Sequence, residues 1–413
     1  MDGPVALTPL GERFEQIDRI LHEHALLFRS APFKTLEPDW RHTHPELYDW
    51  LCGLDTHQAQ RLEHDPQALC AALARFVPAV SALEQLCRLP EQPALHTFPQ
   101  DFDWSMTGRK WSQVRSFAAA ATRSGLPLLD WCSGKGHLAR ALSFAWSRPA
   151  ICLEHDAALC ASGEQHARRE LLPLLFDRTD VLDTAVEHYF EHPYQAVALH
   201  ACGRLHVRLL RLSVRHALPA LSLAPCCYHL ADADTDLVLS ARARAARYTP
   251  TLDDARLAVQ ETVVARNRIR RLRALEQSRR LGFDLLQREL SGNDRYRPVP
   301  PMPTEVVRGD FARFCRWAAE RIDLELPSGL DPRRFEEAGQ ARYAQVTRLA
   351  LLRHGFRRAI EHWLVLDRVL LLIEHGYDCR LSQFCVREHS PRNLLIEARH
   401  HRHAGDVPRP AVD

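Results

Sequence analysis

Lysine is almost missing from this 413-residue chain: of 54 basic residues, only Lys34, Lys110 and Lys135 are lysines. A GC-rich coding sequence would explain so many arginines, so their number alone carries no function. Two of the three lysines still fall inside the motifs below, where a compact ammonium suits an anion. Net charge is also lacking. With 52 acids against 54 bases, nothing in the overall balance demands a nucleic-acid partner. No apolar run reaches membrane-spanning length, and the nearest, LVLDRVLLLI, is broken by Asp367 and Arg368, so no membrane partner is expected. The first twenty residues have neither a basic start nor an apolar centre, which predicts no secretory signal and a cytoplasmic location. The twelve cysteines include no paired CxxC knuckles, which in that compartment points to reduced, mostly buried thiols.

What is present is a change of rhythm along the chain. Residues 1–103 read as a helical N-terminal domain, with apolar residues at three- and four-residue spacing between proline turns. From about residue 104 to 235 short apolar runs alternate with helical stretches: LPLLDWC, PAICLEHD, LPLLFDRTDV, YQAVALHACG and ALSLAPCCYH are five strand candidates. Such alternation predicts an open parallel sheet with right-handed crossovers. Residues 236–355 read as a basic helical insertion, holding 11 arginines against four acids between Ser240 and Arg280. A helix from Phe356, ended by Gly376, and two more strands, YDCRLSQFCV and RNLLIEARH, return over 356–405, and 406–413 is a tail.

The first strand ends in DWCSGKGHLAR. Asp130 closes an apolar run, and Gly134 and Gly136 open the next helix, where free N–H groups can meet a ligand. Glu154 ends the second strand, placed to accept ribose hydroxyls, and Asp180 follows the third as a partner for an adenine amino group. A dinucleotide site would carry GxGxxG. Here Cys132 stands where an early glycine would be, which points to a nucleoside cofactor without phosphates, S-adenosylmethionine.

The segments DWCSGKGHLAR, ALHACGRL, APCCYH and SPRN, in this order, resemble a class I methyltransferase-domain family that includes the methyltransferase-like 25 proteins and the glutathione S-transferase C-terminal-domain-containing protein, with a tRNA ribose methylase as a more distant relative. The resemblance spans roughly 104–235 and 356–400. It implies an α/β fold with a Rossmann-like seven-stranded sheet ending in an antiparallel hairpin, here joined to the helical N-terminal domain and insertion. It also implies that Asp130, Gly134, Gly136, Glu154 and Asp180 surround S-adenosylmethionine. The cysteine/histidine zinc finger that accompanies the tRNA enzymes is not found in this sequence.

With the strand order of that fold, His200 and Cys202 would face the donor methyl and Cys226, Cys227 and His229 would wall the acceptor side. His200 is a candidate base, or else a residue that shapes the pocket. Lys110 and Gln113 would sit on a helix over the cofactor, and Lys110, Arg392 and Asn393 are candidate substrate contacts. A metal is the less favoured reading. Cys202, Cys226, Cys227, His229 and His200 could converge on zinc, but neighbouring residues on a strand point to opposite faces, so Cys226 and Cys227 could not easily share one ion and no metal is expected. The expected activity is methyl transfer to a macromolecule. RNA comes first, through Arg266, Arg268, Arg270, Arg271 and Arg273, and a protein acceptor second. The alternative is a non-catalytic adaptor that keeps the fold and binds a partner through its helical regions.

Overall fold

The computed structural model describes residues 9–90, 95–102, 106–260 and 267–403. Arg266 and the 406–413 tail lie outside these. The chain divides into two compact units, one of Met1–His22, Leu86–Val259 and Arg358–Asp413, the other of Glu23–Gln85 and Gln260–Arg357.

The first unit is built on a seven-stranded sheet. Strands β1 (Leu128–Trp131), β2 (Ala150–Glu154), β3 (Leu174–Arg178), β4 (Gln195–Cys202) and β5 (Ala220–Cys226) are parallel, and β6 (Tyr377–Gln383) and β7 (Leu394–His400) close it antiparallel in the order β3-β2-β1-β4-β5-β7-β6. Every residue of β1 and β5 is buried, as expected for strands covered on both faces. Helices His137–Trp146, Ala157–Arg169 and Arg204–His216 carry the chain across, after β1, β2 and β4. The chain turns one way from β1 to β3 and the other way from β4 to β5. Its topological switch, where such sheets bind ligands, therefore lies between the carboxyl ends of β1 and β4.

In the second unit, two stretches that read from sequence as separate helical regions fold together. Pro45 and Pro66 occupy the first positions of helices Pro45–Gly53 and Pro66–Ala74, where a missing N–H costs nothing. Arginines tie the two stretches. Arg353 donates to the Phe28 carbonyl at 2.6 Å, Arg348 to that of Cys52 at 3.0 Å and Arg288 to that of Lys34 at 2.9 Å, while Arg342 reaches those of Pro32 and Thr35. The arginine excess thus has structural uses that charge counting hides.

Gly355, where the sequence suggests a helix break, lies inside one continuous helix, Pro332–Glu374. A Cβ there would stand 2.7 Å from Leu73 Cδ1, the movable end of a side chain, so Gly355 marks close helix packing and not a turn. Among the described residues no helix is long and apolar enough to cross a membrane.

Candidate active site

The crevice is lined by the ends of β1, β2, β4 and β5. Past β1 the backbone turns through the left-handed region at Cys132 (φ 57°), Gly134 (φ 60°) and Gly136 (φ 65°) before the His137–Trp146 helix begins. The two glycines do different jobs. A Cβ on Gly134 would meet nothing within 4 Å, so this residue borders open space where a ligand can approach. A Cβ on Gly136 would come within 2.5 Å of Phe176 Cζ, so Gly136 is needed for packing on β3.

Two acids are held tightly beside this loop. Glu154 accepts from the Gly134 amide at 2.9 Å and the Asp156 amide at 3.1 Å, which fixes its carboxylate across the loop mouth. Asp130 is 2% exposed and accepts from the Ala139 amide, one of the free N–H groups of the helix's first turn, at 3.2 Å. Burial pushes its pKa up to about 7, against the pull of that amide and of Lys110, and Glu154 adds to the rise. A buried carboxyl with so little compensation suits a cationic partner. Asp180 lies two residues beyond β3, exposed, its Oδ1 accepting from the Leu182 amide at 2.9 Å.

On the other bank β4 has an irregularity between Leu199 and Ala201, and His200 sits there at φ 65°. Its Nε2 lies 3.0 Å from Gln113 Oε1, and Gln113 Nε2 donates to the His389 carbonyl at 2.6 Å. The amide orientation makes Oε1 the acceptor, so Nε2 carries the proton and Nδ1 is left with the lone pair. Burial, then Arg392, lowers the His200 pKa to about 4, so the ring is neutral near pH 7. The helix bearing Gln113, Gly108–Ala120, also carries Lys110 close enough to act on both Asp130 and His200.

APCCYH closes β5. Cys226 is buried in the sheet and Tyr228 lies in the interior, its ring 5.7 Å from that of His206 and under the Arg368 guanidinium. The expectation that Cys226 and Cys227 point to opposite faces is corrected. Cys227 has φ 48°, strand alternation ends at Cys226, and the sulfurs of Cys202, Cys226 and Cys227 lie within 4.8 Å of one another. Cys202 and Cys226 are register partners with sulfurs 3.3 Å apart. Hydrogen bonds from the Cys202 and Cys226 thiols hold the pKa of Cys227 far below the usual thiol range, helped by Arg392 and His229. His229 is half-buried.

Of the residues from SPRN, Arg392 donates to the Val259 carbonyl at 2.6 Å. Asn393 is buried and spends both ends of its amide, donating to the Cys385 carbonyl at 2.7 Å and accepting from Arg358 at 2.8 Å. The sequence reading missed what supports Tyr228. Asp367 accepts from the Leu239 and Ser240 amides, and Arg368 donates to the Leu237 carbonyl, all buried. The signal was in plain view, two adjacent charges inside an apolar run.

Of the basic block, Arg268, Arg270, Arg271 and Arg273 are exposed at the start of the Asn267–Ser291 helix. Arg279 is used internally, donating to the carbonyls of Val307 and Gly309, and Arg280 to those of Val299 and Pro300.

No curated protein matches the chain. Residues 109–234 match a family model described as a methyltransferase domain, a stretch running from the Gln113 helix through APCCYH. The matched stretch lies in a sheet whose order is consistent with the class I methyltransferase fold, and the matched family typically uses S-adenosylmethionine.

Proposed function

We propose that the protein is an S-adenosylmethionine-dependent methyltransferase acting on a macromolecule, with RNA as the acceptor class. The observation that carries the cofactor reading is the pairing of Asp130 and Glu154 around Gly134 at the topological switch. The residues fit the cofactor. Gly134 leaves room for it, Glu154 offers a fixed carboxylate to sugar hydroxyls, and the buried Asp130 offers countercharge to a cationic ligand. When bound, S-adenosylmethionine supplies a methyl group on a positively charged sulfur. Across the crevice, neutral His200 presents Nδ1 as an acceptor that can orient a hydroxyl or amine nucleophile. Lys110 and Arg392 supply positive charge on this bank, which suits an anionic acceptor. RNA is ranked first because the exposed arginines at the start of the Asn267–Ser291 helix offer phosphate contacts.

Calorimetry with S-adenosylmethionine is expected to show one site per chain. Labelled cofactor, incubated with extracts of a strain lacking the gene, is expected to label RNA. Absence of cofactor binding sinks the enzyme in favour of an adaptor, and label entering only protein reverses the acceptor ranking. A second expectation concerns His200. His200→Ala should slow label transfer about 100-fold, in the range of lost general acid–base or orienting groups, while cofactor affinity changes only a few-fold. Equal loss of both would place His200 on the cofactor instead.

A further inference from the structure

We propose that Cys202, Cys226 and Cys227 bind one soft divalent cation, zinc being the type, with His229 completing the ligand set. The three sulfurs already lie within 4.8 Å of one another. Thiolates around a tetrahedral zinc at about 2.3 Å stand roughly 3.8 Å apart, so side-chain adjustments of about an ångström close the site. The backbone that carries the thiols is fixed in advance. Cys202 and Cys226 are register partners on β4 and β5, the Gly203 amide donates to the Cys226 carbonyl at 3.0 Å, and the Leu230 amide to the Cys227 carbonyl at 2.9 Å. The positive φ of Cys227 is what brings the third sulfur round to the other two.

His229 adds an independent observation. Its Nδ1 is buried and has no hydrogen-bond partner among the described residues, a costly state for a ring nitrogen that coordination would relieve. His229 follows Cys227 by two residues but stands outside the 4.8 Å cluster, so its ring must move to reach the ion. Charge is consistent too. Three thiolates and a divalent ion leave one net negative charge, and Arg392 acts on both Cys202 and Cys227. Binding exchanges thiol protons for the metal and moves no electrons. The ion would clamp the ends of β4 and β5 together, two residues from His200, and so hold the acceptor bank in place.

The test uses the full chain, purified without chelator or a metal-affinity step. Elemental analysis is expected to find about one zinc per chain. Cobalt(II) added after chelation is expected to give the intense thiolate charge-transfer absorption of a tetrahedral sulfur-rich site. Cys202→Ser and Cys227→Ser should each weaken cobalt binding about 100-fold and His229→Gln about tenfold. Circular dichroism and cofactor calorimetry on the same variants show whether they still fold. The proposal is overturned if the freshly reduced wild-type chain holds no metal and binds cobalt no better than the triple serine variant. It is overturned equally if the mass of the native chain shows two hydrogens lost to a Cys202–Cys226 disulfide. Metal content and cobalt spectra need neither cofactor nor acceptor, so they decide this site separately from the transferase reading.

Discussion

Asp130→Asn is expected to bind S-adenosylmethionine about 100-fold more weakly than the wild type and yet, without cofactor, to melt at a higher temperature at pH 8. The loss follows from removing a buried charge opposite a cationic ligand, an effect of about 2–4 kcal/mol. The gain follows from linkage. The folded carboxyl keeps its proton up to about pH 7, whereas the unfolded one releases it near 3.8. Between those values the native state binds more protons, so stability falls as pH rises from about 4 to about 7, and the full deficit stands above 7. A three-unit shift sets an upper bound of about 4 kcal/mol for the deficit. The groups facing Asp130 are Lys110 from the preceding helix, Glu154 and Cys152 on β2, Cys132 beyond β1 and the Ala139 amide. Asparagine removes the charge but can still accept from that amide. Thermal melts at pH 5 and pH 8, paired with calorimetry, check both halves. A variant that loses stability at pH 8 would mean that Asp130 is charged and well paired in the empty site.

Gly203→Ala should destabilise the fold by about 2–5 kcal/mol, the sum of backbone strain and overpacking. Gly203 has φ 50° and ψ −121°, a region that side chains avoid, and its Cβ would stand 2.2 Å from the Leu230 carbonyl oxygen. Neither atom can yield cheaply, because the Arg204 amide donates to that same carbonyl at 3.1 Å. Urea unfolding measures the loss. The companion variant Gly134→Ala has φ strain but open space, and should cost about 1–2 kcal/mol. Equal costs at the two positions would refute the packing account.

Six of the seven strands could be read from the sequence as short apolar runs bounded by turn residues, and β6, YDCRLSQ, by its alternation of apolar and polar residues. The acids and glycines that flank the turn after β1 were equally legible, since they follow strand ends at fixed offsets. The side-chain contact at the end of β4 was not. Gln113 and His200 meet across 87 positions of sequence, and nothing local announces it. Cys226 and Cys227 were misread because a period-two pattern was carried one residue past the end of its strand. The joining of 23–85 with 260–357 also left no mark, because arginine–carbonyl ties look like surface charge until their partners are known.

Left-handed backbone recurs around the crevice, at Cys132 after β1, His200 within β4 and Cys227 after β5. Each is a non-glycine residue in a conformation that costs about 1 kcal/mol or more. At all three positions valine or isoleucine is worse than almost any other replacement, whatever the side chain does chemically. A saturation library at this rim would therefore score shape before chemistry, with glycine and asparagine tolerated best. Intolerance there, taken alone, marks how the chain bends and not which atoms react.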